Sequence, residues 1–416
     1  MTSLWRNREF NLLWSSQSLS DLGDGIASLA LSLLVLVKTG SPVSAGVVGT
    51  TTQVARLLLR LPAGVLVDRV DRRHALIVCD AVRLLVFGVL TAAVVTDRAG
   101  LALILIVAVV DAGASAVFST AEDASLRSIV PIKQLPDAVA RNEARSYGTS
   151  LAGPPLGGFL FTLGHAVPFA ANVVSYLVSI VAVLFIRKPL QAPREEQKQG
   201  YGVALAEGIR FVLTHPFLRT LMLVAAPLNF AINGVIFTVI VALQRHGTAP
   251  AVIGLTETIV AAGGLLGALA APALQRRLRL VPLVRTLCWV AAALLASAAL
   301  LTSSIAAAVP LGLTVFLGPA ANAALFGFQA AITPDRLQGR VISVIMVAAM
   351  SLASLAPLLA GTLLAWRGPA TAILFFACSV AGSALIATLG TGLRWSEPGA
   401  AQDLSARSSG AAEPAA

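Results

Sequence analysis

The segment GVLVDRVDRR, residues 64–73, lies between two long apolar runs and has the form G-x-L-x-D-R-x-x-R-R. Gly64 has no Cβ, so it would let two helix ends approach closely. Asp68 offers a carboxylate to a helix N-terminus or to a cation on a neighbouring helix. Arg69, Arg72 and Arg73 add positive charge beside it. This ordered spacing predicts a conformational latch, a charge cluster that holds one conformation and releases in another; the alternative is an ordinary basic loop.

The composition on both sides of this loop is that of a membrane protein. Of the 416 residues, 57% are hydrophobic and only 12% are charged, whereas soluble chains carry about 25% charged residues. A spanning helix needs roughly 20 apolar residues, so the chain has room for about twelve. The net charge of +10 is spread over many short segments, which argues against a nucleic-acid-binding face.

Apolar runs separated by glycine, proline and charged residues predict twelve transmembrane helices. Their expected spans are 11–37, 43–64, 74–96, 100–127, 137–163, 166–187, 217–244, 251–275, 281–302, 305–332, 340–365 and 368–393. Alternate loops hold most of the arginine and lysine, and cytoplasmic loops are the ones rich in these residues. We therefore expect a multi-pass protein of the cell membrane with both termini in the cytoplasm.

The longest internal polar stretch divides the chain into two halves. We expect a six-helix half at 1–187, a cytoplasmic linker with an interfacial amphipathic helix at 188–216, a second six-helix half at 217–394 and a disordered cytoplasmic tail at 395–416. Two weak repeats support a duplication, since the pattern at 64–72 recurs at 271–279 and GPPLGG at 153–158 recurs as APLLAG at 356–361. Two such halves around a central cavity are a common transporter plan.

The GPPLGG segment, residues 153–158, predicts a bent and closely packed fifth helix. Pro154 and Pro155 remove backbone donors and bend a helix. Gly153, Gly157 and Gly158 let a neighbouring helix pack closely. Such a helix could block leakage of a coupling ion, or it could be a plain packing kink that uses the same residues.

The 64–73 loop resembles the loop motif of the major facilitator superfamily. GPPLGG resembles the antiporter motif of exporters in that superfamily, although the upstream glycine spacing matches only in part. Three further segments, at 7–35, 128–142 and 207–219, resemble the bacterial subfamily that contains the enterobactin exporter and macrolide-efflux proteins. The resemblance covers about residues 5–394. It implies an all-α integral membrane protein with twelve transmembrane helices in two pseudo-symmetric six-helix bundles, and it leaves the substrate open.

Ionisable residues inside spans are costly and therefore mark candidate functional sites. Asp24, near the middle of the first span, and Asp111, near the middle of the fourth, are the candidates for proton coupling. Arg56 on the second span is the candidate counter-charge. The alternative is a structural Asp–Arg pair that bridges helices.

Other charged residues are expected nearer the membrane surface. Asp80 and Arg83 are assigned to the latch at the cytoplasmic interface, and Glu143 and Arg145 to the interface at the start of the fifth span. Glu257 lies within the eighth span.

Four amides in the second half are candidates to line a cavity. Asn229 and Asn233 are one helical turn apart on the seventh span, and Asn322 and Gln329 are two turns apart on the tenth. Side-chain amides can equally hydrogen-bond one helix to another, so both interpretations stay open.

These features predict a secondary active transporter that exports a small hydrophobic or amphipathic compound, such as a drug, macrolide or siderophore, by proton-coupled alternating access. An uptake symporter of the same fold and a non-transporting membrane scaffold or sensor are the alternatives. The sequence has no G-x-x-x-x-G-K-[ST], H-E-x-x-H or G-x-S-x-G motif, so we expect no enzyme, no catalytic residue and no metal. The expected partners are a small-molecule substrate and the bilayer, not nucleic acid. We expect a monomer that has no cofactor and is driven by the proton gradient.

Overall fold

The computed structural model describes residues 4, 7–131, 134–188, 190–191, 201–277, 280–334 and 337–390. Within these ranges the chain is almost wholly helical. The α-helices are Arg8–Thr39 (α1), Pro42–Arg69 (α2), Arg72–Val95 (α3), Leu101–Ile129 (α4), Leu135–Leu163 (α5), Val167–Phe185 (α6), Tyr201–Thr214 (α7), Pro216–Arg245 (α8), Pro250–Arg277 (α9), Leu280–Ala298 (α10), Ala308–Ile332 (α11), Gln338–Ala353 (α12), Ala356–Arg367 (α13) and Pro369–Leu389 (α14).

Ten stretches of the described residues are long and apolar enough to cross a membrane, with α12 and α13 counted together as Gln338–Arg367. Helices α2 and α5 lie outside that set. With 28 and 29 residues they are nevertheless long enough to span. The fold is therefore all-α, with twelve transmembrane helices in two six-helix bundles, as the sequence predicts.

The helix boundaries differ from the sequence prediction at the 64–73 motif. Helix α2 continues through Pro62 to Arg69, so only Val70 and Asp71 separate it from α3. Most of the motif is thus the end of a helix and not a loop. Proline is tolerated inside membrane helices because neighbouring groups satisfy the freed carbonyl, and for this reason Pro62 does not mark the end of α2.

The helix ends define two faces of the molecule. The linker face contains residues 7–9, 70–72, 129–131, 186–188 and 190–191, and the far face contains residues 38–42, 96–100 and 245–250. On the linker face, the backbone N–H of Arg187 donates to Glu9 Oε2 at 2.9 Å. On the far face, an ion pair joins Lys38 to Asp97. Asp97 is exposed, and the hydrogen bond from Lys38 lowers the pKa of its carboxyl.

The first contact between the halves joins α5 to α9. Any Cβ placed on Gly158 would come within 2.7 Å of the carbonyl carbon of Pro250, and one on Gly254 would come within 2.7 Å of Pro155 Cα. The hydroxyl of Thr258 also donates to the carbonyl of Leu151 at 3.0 Å. The two backbones touch only because glycine stands at these positions.

The second contact joins α2 to α13 in an equivalent way. A Cβ on Gly46 would come within 2.5 Å of Pro357 O, and one on Gly361 within 3.0 Å of the carbonyl carbon of Pro42. The backbone N–H of Leu358 donates to Thr50 Oγ1 at 3.0 Å. The APLLAG repeat at 356–361 therefore packs across the molecule as GPPLGG does. Both contacts lie towards the far face.

Helix α7 follows the linker region and packs on the second half. Arg340, in the first turn of α12, forms an ion pair with Glu207. Gly208 faces the same residue, since its Cβ would lie 3.0 Å from Arg340 Cβ. Val212 is fully buried. These contacts fix the helix against the start of α12. The predicted tail at 395–416 lies outside the described residues.

Candidate functional site

A buried arginine, Arg83 on α3, is the centre of the polar network in the first half. Its side chain is 2% exposed. Nε donates to Asp111 Oδ1 at 2.9 Å, Nη2 donates to Asp24 Oδ2, and Nη1 lies 3.7 Å from Asp80 Oδ1. Helices α1, α3 and α4 are thereby joined in mid-membrane. The sequence prediction that Asp80 and Arg83 belong to the latch is wrong, because the packing of three helices draws Arg83 inwards.

Arg56, the predicted counter-charge, has a secondary position. Its Nη2 lies 3.8 Å from Asp111 Oδ2, and its side chain is 47% exposed. It contacts only the outer side of the network, whereas Arg83 contacts three carboxylates. Sequence reasoning identified both aspartates but not their principal partner. The available signal was the charge at Arg83, eleven residues inside α3.

Tyr176 on α6 completes the network. Its hydroxyl donates to Asp24 Oδ1 at 2.5 Å and accepts from Asn172 Nδ2 at 3.1 Å. Its ring lies 4.4 Å from Arg83 Cζ, a cation–π contact. Phe87 packs beside the tyrosine ring, with centroids 6.0 Å apart. Asp24 is therefore fixed by both a guanidinium and a phenol, inside an aromatic wall.

Two glycines position Asp24 on α1. A Cβ on Gly23 would lie 3.0 Å from Ser175 Cβ on α6, and one on Gly25 would lie 3.1 Å from Gly153 Cα on α5. Gly157 is also close-packed, since its Cβ would fall 2.5 Å from the carbonyl oxygen of Ile26. The GPPLGG glycines therefore pack against the same turns of α1 that carry Asp24. The close packing of α5 that the sequence predicts is therefore present on two sides, against α1 and against α9.

A second buried cluster lies one turn nearer the linker face. Arg145 on α5 contacts Asp21 Oδ2 through Nε at 3.1 Å and Glu122 Oε1 through Nη1 at 2.7 Å. The side chains of Arg145 and Glu122 are each 8% exposed. The sequence prediction that Arg145 is interfacial is therefore wrong. Its two carboxylate partners come from α1 and α4, which the sequence alone does not bring together.

A cavity of about 240 Å³ opens beside the network, between the halves. Asp24, Asp111 and Arg56 line it from the first half, and Asn233 and Glu257 line it from the second. Within the described chain Glu257 makes no ion pair. The proton-coupling candidates therefore share one space with a carboxylate of α9.

The predicted latch residues lie at the linker face. Arg72 donates through Nη1 to the carbonyl of Ala124 on α4 at 3.0 Å and to that of Leu190, at the start of the linker, at 3.1 Å. Arg69 is exposed and Arg73 is half-buried. The side chain of Asp68 lies outside the described residues.

Gly64 does not have the expected close contact. No heavy atom of the described chain lies within 4 Å of the position that its Cβ would take. The reason is that the contacts between the halves lie towards the far face, while Gly64 is near the linker face. The latch therefore stays a prediction for a conformation closed at the linker face.

Asp71, inside the same motif, caps α3. Its Oδ1 accepts from the backbone N–H of His74 at 3.0 Å. This hydrogen bond lowers the pKa of the Asp71 carboxyl below its ordinary value. The motif thus contains a helix cap in addition to its arginines.

The four amides of the second half have different environments. Asn233 lines the central cavity, whereas Asn229 and Asn322 line a second cavity within the second half. Gln329 is fully buried and donates to Thr333 Oγ1 at 3.1 Å. It lines neither of these two cavities. In this conformation Gln329 is enclosed by the protein, and its assignment to a cavity stays a prediction.

The fold and this site define a polytopic transporter with a charged central cavity. A family model described as the Major Facilitator Superfamily matches residues 13–357, so the chain belongs to that superfamily and is a transporter, not an enzyme. The "Multidrug efflux pump Tap" of Mycobacterium tuberculosis is 30% identical over 268 residues, 59% of this chain and 61% of that protein. This match therefore spans less than two thirds of the relative's length.

Two further comparisons cover more of the chain. The Tap pump of Mycolicibacterium fortuitum is 26% identical over 379 residues, 82% of this chain and 85% of that protein. Among solved structures, a bacterial homologue of the human lysosomal transporter Spinster, in an inward-facing and occupied conformation, aligns with a TM-score of 0.73. That alignment has 15% identity and covers 95% of this chain and 98% of the other. It shows the fold alone.

Proposed function

We propose that the protein exports a small hydrophobic or amphipathic compound across the cell membrane in exchange for protons. The observation that carries this proposal is the charge count at Arg83. Three carboxylates, Asp24, Asp80 and Asp111, face the guanidiniums of Arg83 and Arg56. Full ionisation leaves one uncompensated negative charge in mid-membrane, which is costly. One proton removes it, so the network is built to bind a proton.

Asp24 is the carboxylate best placed to exchange that proton. Its side chain is 29% exposed and lines the central cavity, whereas that of Asp80 is 0% exposed. Loss of the proton leaves Asp24 competing with Asp111 for Arg83, which alters the contacts among α1, α3 and α4. A ligand shifts a conformational equilibrium only through its different affinity for the two states, and here the proton is that ligand.

The contacts between the halves indicate on which side of the membrane this conformation is closed. They lie towards the far face, at Gly158 with Pro250 and at Gly361 with Pro42. With both termini in the cytoplasm, as the loop charges indicate, this conformation is closed to the outside. Exchange of the proton at Asp24 would then release the far-face contacts and form the latch at the linker face.

The GPPLGG motif would couple the two events. Gly153 packs on Gly25, next to Asp24, while Gly158 packs on Pro250 in the other half. A movement of α1 that follows proton exchange is therefore transmitted through α5 to α9. The names of the Tap relatives support export, and GPPLGG resembles the antiporter motif of exporters.

The proposal is tested with inverted membrane vesicles from cells that express the full chain. A panel of fluorescent amphipathic compounds should show accumulation that a protonophore abolishes. Asp24→Asn should remove this accumulation, because the amide cannot exchange a proton. Asp97→Asn, the same change at a side chain 89% exposed on the far face, is the control. Proton-driven flux that survives Asp24→Asn would contradict the assigned mechanism.

An uptake symporter is the second candidate, because the same network could couple protons to import. Uptake confined to right-side-out vesicles would favour it over export. The scaffold or sensor alternative is not retained, since the chain belongs to a family of transporters.

A further inference from the structure

A second cavity, of about 180 Å³, lies wholly within the second half. It is bounded by α8, α10, α11 and α12 and shares no lining residue with the central cavity. Most of its wall is aliphatic. Asn229 and Asn322 supply side-chain amides, and Gly318 leaves a gap in the wall on α11. The charge network described above uses none of these residues.

We propose that this cavity is a substrate subsite that holds an uncharged aromatic ring of the exported compound. The inference rests on the proposed export function and adds the chemical class that the second half recognises. An apolar cavity of about 150 Å³ is large enough for benzene. The second cavity can therefore hold an aromatic group of one or two rings. The absence of a charged side chain among its lining residues selects a neutral group.

The wall of the cavity is adaptable. Met346 and Met350, one turn apart on α12, are two of the four methionines in the chain, and both line it. Methionine is unbranched and polarizable, so it repacks around ligands of different shape. Apolar surfaces that contain methionine are typical of proteins that accept several ligands.

Two side-chain amides are among the polar groups that line the cavity. Asn229 lines the cavity and donates through Nδ2 to the carbonyl of Ala225 at 2.9 Å, while its Oδ1 accepts no hydrogen bond from another described residue. Asn322 makes no hydrogen bond to another described residue, and it is exposed. A ring that carries a hydroxyl or amino group would satisfy these amides, and an all-hydrocarbon lipid chain would not.

Two glycines on α11 provide a test position and a matched control position. Neither Gly318 nor Gly327 has a heavy atom of the described chain within 4 Å of its would-be Cβ. Only Gly318 lines the cavity, and a separation of nine residues places the two on opposite sides of the helix. Gly318→Leu fills the cavity, and Gly327→Leu is the matched control.

The probe is N-phenyl-1-naphthylamine, a neutral amine that fluoresces in apolar sites, added to the purified full-length protein in detergent. The unsubstituted protein and Gly327→Leu should bind it saturably, and Gly318→Leu should weaken the Kd at least tenfold. Gly318→Ala, which adds one methyl group, should weaken it at least twofold, and serves if the leucine variant does not fold. Partition into micelles is common to all of these proteins and cancels in the comparison.

Equal affinity in the Gly318 and Gly327 variants, or no saturable binding by the unsubstituted protein, overturns the proposal. A phospholipid retained by the unsubstituted protein and lost from Gly318→Leu, detected by mass spectrometry, assigns the cavity to an acyl chain and also overturns it. Asp24→Asn should keep probe binding while losing proton-driven flux. Failure of the export mechanism is thereby distinguished from failure of the subsite.

Discussion

The two halves of the molecule share a helix plan but differ in what they bury. The first half buries two arginine-centred clusters, around Arg83 and Arg145, each with carboxylates from other helices. The second half has a cavity with aliphatic walls, and its half-buried Arg285 donates to a backbone carbonyl.

This difference indicates a division of labour. A buried charge network is costly and is retained in membranes where ions or protons are handled. An apolar cavity recognises the body of a ligand and carries no charge across the membrane. Under the two proposals above, energy coupling in the first half and ligand recognition in the second would communicate through the contacts of α5 with α9 and of α2 with α13.

The largest expected effect is the difference in unfolding free energy between substitutions of Arg83 in the first half and of Arg285 in the second. Arg83→Met removes the partner of Asp24 and Asp111 and should destabilise the protein by about 3–5 kcal/mol, because buried carboxylates lose their counter-charge. Arg285→Met loses a 2.8 Å hydrogen bond to Ala387 O and should cost only about 1 kcal/mol. Unfolding of both variants in detergent measures the difference. Equal losses would show that the halves do not differ in this way.

A change at the contact between the halves should have the next largest effect. Gly158→Ala places a Cβ against the backbone of Pro250. It should destabilise the conformation that is closed at the far face by about 1–3 kcal/mol. Gly148→Ala, on the same helix with open space around it, is the control. Spin labels on Thr39→Cys and Ala249→Cys, in a background without the native cysteines, should report a wider far face in Gly158→Ala alone. An unchanged distance would mean that this contact does not hold the halves together.

Substitution of Arg56 should have a smaller effect on stability. It tests whether Arg83 or Arg56 is the functional counter-charge of the aspartates. Its side chain is 47% exposed and 3.8 Å from Asp111, so Arg56→Gln should cost no more than about 1 kcal/mol. Proton-driven flux should fall several-fold but persist, in contrast to Asp24→Asn. If Arg56→Gln abolishes flux while the protein stays folded, Arg56 and not Arg83 is the functional counter-charge.

The smallest effect concerns the helix cap at the linker face. The Asp71 carboxyl has a lowered pKa because it accepts a hydrogen bond from the His74 backbone. A lowered native-state pKa stabilises the protein above the unfolded value of about 3.9, and this contribution disappears as pH falls through the native value. Asp71 is 52% exposed, so the contribution is a few tenths of a kcal/mol. Asp71→Asn should flatten the stability profile below about pH 4 and leave it unchanged between pH 5 and 7; an altered profile at pH 6 would contradict this cause.

Sequence patterning was sufficient for the fold and for part of the site. Apolar runs are long enough to reveal helices without knowledge of their neighbours, and a buried acid such as Asp24 stands out in an apolar run. The partner of that acid could not be found in this way, because Arg83 is 59 residues away and only helix packing brings it close. The same limit explains the error at Arg145, whose environment depends on which helix face turns inwards.

By itself, then, the sequence determined that this chain crosses the membrane in two six-helix halves, that Asp24 and Asp111 are costly to bury, and that GPPLGG packs closely. The tertiary structure decided that Arg83 and Tyr176 are the partners of Asp24, that the glycines of α5 contact both α1 and α9, and that the second half encloses an apolar cavity. The reason is physical. Hydropathy and backbone constraints act locally along the chain, whereas ion pairs and cavities are properties of surfaces that come together only when helices pack.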